Sequence, residues 1–255
     1  MGVYGYDPAI GKIPEGYLPI KVPVEEKGDV EKEILYPANP GSVYHMTKTL
    51  DQLMLAYYAK NDGLRITDLH QGIVWGTQTE QTKRDERLIN RFDYDGDFGT
   101  VLNRFLVQAA LNYNLTVHGT GGQTRGFINI QDTARCVELA SQNPPERGDR
   151  VAIHNQVTET HRVMDLAKLV SSLTGVKIDE IPNPRNEAEA NDLLVTHEHL
   201  EIFGLKPITL KEGLLEEVID VAGKYVDRID PNEIPALSLW NNRVPAALAK
   251  QSAPR

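Results

Sequence analysis

The chain has 255 residues, 40% hydrophobic and 25% charged, with 20 Gly and 15 Pro, which fits a globular protein of one large domain or two small ones. Its 27 Lys+Arg against 36 Asp+Glu leave a formal net charge of −9, and such a surface is a poor partner for nucleic-acid phosphates or anionic lipid. No run approaches the ~18 apolar residues of a membrane span, no basic start precedes an apolar core, and the single cysteine, Cys136, excludes an internal disulfide and reads as a core residue in a reducing compartment.

The first forty residues are the least regular, with six prolines and a Lys27-Gly28-Asp29 turn between two extended stretches, the pattern of a loop holding a hairpin over 15–40. From Ser42 the period becomes helical, with Val43, Met46, Leu50, Leu53, Met54 and Tyr57 on it, until Asn61-Asp62-Gly63 stops it. Leu64–Leu69 and Ile73–Trp75 read as short strands broken by Gly72 and Gly76. A polar segment leads to a helix over Val101–Ala110 and a strand over Leu115–His118. After the Gly119–Gly122 turn, Gly126–Ile130 reads as a strand and Asp132–Leu139 as a helix capped by Asp132. Val151–Ile153 (strand), Val163–Leu173 (helix), Lys177–Ile181 (strand) and Leu210–Val226 (helix) complete the alternation, and an extended tail is expected from Asp230. Strands alternating with helices predict an α/β fold with a mostly parallel sheet and ligands beyond the carboxyl ends of its strands.

Within this frame Tyr44-His45-Met46-Thr47-Lys48 is the sharpest local feature, because residues four apart project from one helix face. A lysine cation one turn from a phenol favours the phenolate, which suits a base or acid for a substrate hydroxyl; two ordinary surface side chains would read the same way. Arg125, at the junction of a glycine turn and a strand, and Arg185, in Pro182-Asn183-Pro184-Arg185, are forks suited to a diphosphate or, equally, to a surface carboxylate. Asp93-Tyr94-Asp95-Gly96-Asp97 fails as a calcium loop, since its glycine is two places early and the twelfth position is Arg104. His197 and His199, two apart, fall on different helix faces and read as solvent-facing, so no metal site is expected. Gly119-x-Gly121-Gly122 reads as a turn and does not match a dinucleotide fingerprint.

Taken together, several segments carry a resemblance that runs nearly the whole length. They are Met1–Gly5, Tyr44–Lys48, Thr67-Asp68-Leu69-His70-Gln71-Gly72-Ile73-Val74-Trp75-Gly76, Asn90–Asp95, Phe98–Thr100 with Leu102–Phe105, Gly119–Asp132, Val151–Gln156, and Pro182–Arg185 with Glu187-Ala188-Glu189. The chain resembles the extended short-chain dehydrogenases/reductases, which have a Rossmann-like fold, and more narrowly the UDP-sulfoquinovose synthase family. Tyr44 and Lys48 mark only the superfamily. The Asp-Leu-x-Gln-Gly strand, Arg-x-Asp-Tyr-Asp and Asn-Pro-Arg-x-Glu-Ala-Glu are narrower.

The resemblance implies a bound NAD and a reaction of UDP-glucose with sulfite giving UDP-sulfoquinovose: oxidation at sugar C4 acidifies C5–H, the C6 hydroxyl leaves, sulfite adds at C6 and C4 is reduced again. By the same resemblance Tyr44 moves the C4 hydroxyl proton, Lys48 holds the nicotinamide ribose and His45 lines the pocket for C6 chemistry. Val74 borders the nicotinamide, Gln71, Thr100 and Gln123 touch the sugar nucleotide, and Arg125 and Arg185 grip the diphosphate. Residues 1–98 would be the later part of the NAD-binding Rossmann domain, 99–230 mainly the UDP-sugar region with segments returning to the Rossmann domain, and 231–255 a tail. His70 replaces the family's usual Asn. The chain starts at the Met of the family's Thr-Met-Gly-x-Tyr-Gly motif, so a truncation is expected in which the catalytic threonine and the glycine-rich half lie before it, leaving this chain inactive by itself and the Tyr44 helix with an uncovered apolar face. A homodimer is implied for the full length, and the cytoplasm, or a plastid in a plant, for its location. Two other readings stay open: another NAD-dependent UDP-sugar epimerase or dehydratase, sharing Tyr44 and Lys48 without using sulfite, and a non-catalytic UDP-sugar-binding remnant.

Overall fold

A computed structural model describes residues 2–5, 12–96, 98–183, 190, 191 and 193–234. In chain order the elements are β1 (Tyr17–Val24), β2 (Gly28–Leu35), α1 (Val43–Asp62), β3 (Thr67–Gln71), β4 (Ile73–Trp75), α2 (Val101–Ala110), β5 (Leu115–His118), β6 (Gly122–Asn129), α3 (Ile130–Gln142), β7 (Ala152–Gln156), β8 (Glu159–Arg162), α4 (Val163–Thr174), β9 (Ile178–Ile181), β10 (Ala190–Asn191), α5 (Glu198–Ile202) and α6 (Leu210–Tyr225). The chain divides into two compact units, one from residues 1–89, 122–162 and 190–213 and the other from 90–121, 163–189 and 214–255.

The first unit opens with the expected hairpin, in which β1 and β2 pair antiparallel from Tyr17↔Leu35 to Val24↔Gly28. Pro19 and Pro23 are tolerated because a two-strand ribbon leaves one side of each strand without a ladder partner. Its base is fastened by the Tyr17 hydroxyl, which donates to the Val151 carbonyl at 2.9 Å, and by Arg150, whose guanidinium lies 3.7 Å from the Tyr17 ring centroid. Parallel pairing then dominates, as the alternation predicts: β3 runs beside β7, and β6 lies between β4 and β10. Gly72 is the hinge between β3 and β4. Its N–H donates to the Gln156 carbonyl at 2.9 Å, and a Cβ there would sit 2.8 Å from the Gly126 carbonyl oxygen, so only glycine lets the chain pass between β7 and β6.

Sequence reading missed two strands and misplaced one cap. β8 (Glu-Thr-His-Arg) lacks an apolar pattern and becomes a strand through antiparallel pairing with β6, and β10 is only two residues long. Helix α3 starts at Ile130, capped by the Asn129 side chain, which accepts from the Gln131 N–H. Asp132 is not the cap: its carboxylate lies in the first turn, accepting the Ile208 N–H at 2.6 Å with Arg135 3.3 Å away. Most of the expected tail lies outside the described residues; 231–233 form a 3-10 turn.

The first unit holds small separate cores. Val3, Tyr4, Ile13, Tyr36, Leu193 and Val195 make one; Ile128, Cys136, Leu200 and Leu205 with half-buried Val74 make another; and Ala59, Val151 and Ile153 make a third with Leu55 and Ala56 of α1. In the second unit β5 pairs parallel with β9, and α2 and α4 pack together, burying Phe105, Leu106, Val107, Leu166 and Val170. Gln108 is satisfied inside this core by Thr116, donating to its Oγ1 at 2.7 Å and accepting its N–H at 3.1 Å.

Candidate active site

Helix α1 carries the Tyr44–Lys48 pair. Ser42 caps it, its side-chain oxygen accepting the His45 N–H at 3.1 Å, and Gly63 ends it at φ +61°, a backbone that glycine adopts without strain. Tyr44 therefore sits in the first turn, 67% exposed, with the Lys48 ammonium 5.7 Å from its ring centroid. Lys48 also lies 3.4 Å from Asp51 Oδ2, which engages one of its three hydrogens. The His45 ring is 5.8 Å from the Tyr44 ring and is packed by Gly2, where a Cβ would stand 2.5 Å from His45 Cδ2.

A buried polar chain joins the Gly-x-Tyr-Gly segment to β3 and β7. Both amide hydrogens of Asn155 go to carbonyls, of Pro14 and Thr196, so its Oδ1 accepts the Tyr4 hydroxyl at 2.9 Å. His70 Nδ1 meets the same hydroxyl at 2.6 Å, while its Nε2 lies 3.0 Å from Asp68 Oδ2 and 3.4 Å from Gln52 Nε2 on α1. The residue that departs from the family's Asn thus bridges three elements. Burial, reinforced by the Asp68 and Glu15 charges, holds the Tyr4 phenol far above its ordinary range. Two tyrosines near one another in the motif set are thereby separated in kind: Tyr4 is a buried neutral donor, and Tyr44 is the accessible phenol.

The remaining expected site residues are scattered. Gln71 closes β3 and is exposed, whereas Val74 in β4 packs into the Ile128–Cys136 core. Gln123 is buried in β6 opposite Asn191 of β10, and half-buried Arg125 donates to the Thr124 carbonyl at 3.1 Å. Thr100 belongs to the second unit, where its hydroxyl caps α2 by accepting the Asn103 N–H at 3.2 Å. Arg185 lies outside the described residues. The structure therefore brings Tyr44, His45 and Lys48 together, with Gly2 packed on His45 and the Tyr4–His70 chain reaching the same helix at Gln52.

A second polar cluster escaped sequence reading altogether. Glu15, just before β1, points at two histidines, His154 of β7 and His199 of α5. His199 read as solvent-facing, yet its Nδ1 turns inward, 2.9 Å from Glu15 Oε2 and 3.3 Å from His154 Nδ1; His197 pairs instead with Glu201 at 3.1 Å. Burial, with the His199 charge second, pushes the His154 pKa down to about 4, and burial likewise raises the Glu15 carboxyl. Three residues this far apart in the chain leave no local spacing to read.

Residues 22–153 match the NAD dependent epimerase/dehydratase family. Over 245 residues the chain is 44% identical to the chloroplastic UDP-sulfoquinovose synthase of Spinacia oleracea, covering 94% of this chain and 49% of that one. Over 224 residues it is 40% identical to UDP-sulfoquinovose synthase of Sulfolobus acidocaldarius, covering 86% and 54%. The chain thus spans about half the length of these curated relatives. Among solved structures, the UDP-glucose 4-epimerase of Thermotoga maritima with UDP-glucose superposes with a TM-score of 0.63 at 20% identity, covering 85% of this chain and 59% of that one. The dTDP-glucose 4,6-dehydratase DesIV of Streptomyces venezuelae with NAD superposes with a TM-score of 0.62 at 15% identity, covering 88% and 58%. The likeness in fold is to Rossmann-type enzymes, and no described helix is long and apolar enough to cross a membrane. With the family match covering more than half of its residues, the chain belongs to the NAD dependent epimerase/dehydratase family.

Proposed function

We propose that this chain is the Tyr44-bearing portion of a UDP-sulfoquinovose synthase, an enzyme that uses NAD, UDP-glucose and sulfite. The observation that carries the reading is the identity of 44% to the spinach synthase across 94% of the chain, which spans the narrow motifs as well as the general Tyr44–Lys48 pair. The residues present suit the nicotinamide-ribose end of NAD, since an accessible phenol and an ammonium with two hydrogens not engaged by Asp51 stand at one end of a capped helix. When bound, NAD supplies a reversible store for a hydride.

The chain's own residues then divide the work. Tyr44 takes and returns the proton of the C4 hydroxyl, and Lys48 binds the ribose and supplies the neighbouring positive charge. His45, beside Tyr44, lines the space for C6 chemistry. Gln71, Thr100 and Gln123 contact the sugar nucleotide, Arg125 and Arg185 grip its diphosphate, and Val74 of β4 borders the nicotinamide. In this reading residues 1–98 contribute to the NAD side and 99–230 mainly to the UDP-sugar side. A homodimer through α1 accords with its exposed Leu50, Leu53, Met54 and Tyr57. The location is the cytoplasm, or the plastid in a plant.

The test is product analysis on the whole enzyme with NAD, UDP-glucose and sulfite. UDP-sulfoquinovose formed only with sulfite supports the reading; sulfite-independent conversion of UDP-glucose would assign an epimerase or dehydratase instead. In the same assay Tyr44→Phe is expected to lower turnover by about 10²–10⁴-fold, the usual worth of a positioned proton-transfer group, while UDP-glucose binding measured by calorimetry stays nearly unchanged. Equal losses in both would remove Tyr44 from the proton transfer.

A further inference from the structure

Away from α1, the Glu15, His154 and His199 side chains converge with no part in the reaction above. One donor atom from each lies within 4.8 Å of the others. A tetrahedral ion with bonds of about 2.0–2.1 Å spaces its ligand atoms about 3.3–3.4 Å apart, and the two histidine Nδ1 atoms stand 3.3 Å apart. Two such nitrogens face one another comfortably only with a proton or a cation between their lone pairs. The third donor is held in place: Glu15 Oε1 accepts the Asn155 N–H and Oε2 the His199 N–H, each at 3.1 Å, so this buried carboxylate cannot swing away from the rings.

His154 itself is 5% exposed, flanked by the Phe203 ring at 5.5 Å, and its Nε2 has no hydrogen-bond partner among the described residues. All its polar engagement is therefore on the Nδ1 side. The buried Glu15 carboxylate and the two imidazoles together offer a divalent cation one anionic oxygen and two nitrogen donors. The His199 side chain is 52% exposed, which gives an ion an entry path and leaves room for water at a fourth position.

We propose that Glu15, His154 and His199 form a binding site for a zinc-class divalent transition-metal ion, completed by water. Two imidazoles with one carboxylate suit such an ion over magnesium or calcium, which favour all-oxygen shells. Bound there, the ion ties the approach to β1, the middle of β7 and α5 to one another.

The test is titration of the chelator-stripped full chain with Zn²⁺ by calorimetry and with Co²⁺ by visible absorption. One equivalent of Zn²⁺ and the intense bands of four-coordinate cobalt are expected. His199→Gln, at a half-exposed position, keeps the fold, read by far-UV circular dichroism, but weakens Zn²⁺ by about 100-fold or more, at least matching the loss seen when a group that orients a ligand is removed. Glu15→Gln reads the same loss, and Zn²⁺ raises the melting temperature of the unsubstituted chain but not of either variant. Absence of stoichiometric Zn²⁺ binding, a six-coordinate cobalt spectrum, or affinity retained in His199→Gln would each overturn the site.

Discussion

Helices α1 and α2 were read from the same signal, an apolar residue every three or four places, and the structure treats them differently. α2 has ten residues and buries six of them, Leu102, Arg104, Phe105, Leu106, Val107 and Gln108. α1 has twenty and buries Gln52 and Ala59 alone. Its inner side, with Leu55 and Ala56, packs on Val151 and Ile153, while Val43, Met46, Leu50, Leu53, Met54 and Tyr57 stand exposed on the other. The period reports that a helix has an apolar stripe; it does not report what covers the stripe. α1 has two such sides and carries Tyr44 at its exposed end, so its sequence is shaped by more than the packing of its own unit.

The widest separation between the two helices is expected in stability. Phe105→Ala removes a fully buried ring from α2 and should cost about 3–5 kcal/mol, read as a lowered urea midpoint. Leu53→Ala on α1, at a position 53% exposed, should change stability by no more than about 0.5 kcal/mol. Comparable losses from both substitutions would mean that the outer side of α1 is covered in the chain itself, and the contrast would collapse.

Helix α3 sharpens the contrast, because it lies in the same unit as α1 yet has a covered side. Cys136 is fully buried there with Ile128 and Leu200. Burial, aided by the Asp132 charge and opposed by Gln156, pushes its thiol from about 9 up to about 11. A pKa raised on folding contributes stability that is intact below the unfolded value and lost as pH climbs through the folded one. Stability should therefore decline between pH 9 and 11 by up to about 3 kcal/mol, and Cys136→Ala should flatten that slope. Native alkylation of the thiol should be slow at pH 8 and rapid only after unfolding. Fast native labelling would show that the first unit is loosely packed throughout, and the exposure of α1 would lose its meaning.

What was legible follows the range of the signal. Tyr44 and Lys48 are four residues apart, so one helical turn suffices to find them, and the β1–β2 hairpin, α2, β5 and α4 likewise declare themselves within a dozen residues. β8 did not, since Glu159-Thr160-His161-Arg162 owes its conformation to β6. The α3 cap was misplaced because Asn129 and Asp132 are both good capping residues, and the choice is made by the distant Ile208 N–H that claims the Asp132 carboxylate. The Glu15–His154–His199 cluster and the Tyr4–Asn155–His70 chain exist only once β7 is laid beside β3. For Arg125 and Gln123 the strand was legible in part, its start at Gly122 being earlier than the apolar run suggests, because the polar first half is paired by β10 and β8.

The smallest expected effect concerns Asp51, which lies 3.4 Å from the Lys48 ammonium with both side chains about half exposed. Such pairs are worth little, because water screens the attraction and the long lysine side chain must be held still, so Asp51→Ala should change stability, read from the urea midpoint, by less than about 0.5 kcal/mol. The substitution is nevertheless informative about α1. It leaves the ammonium beside Tyr44 and removes the carboxylate it pairs with, so NAD affinity of the whole enzyme should hold or rise slightly, while turnover stays within about two-fold. A large stability loss would make the Lys48–Asp51 contact a structural clasp of the helix and would take Lys48 away from the ribose. A neutral result, set beside Leu53→Ala, would place the whole outer side of α1 in the service of what binds there.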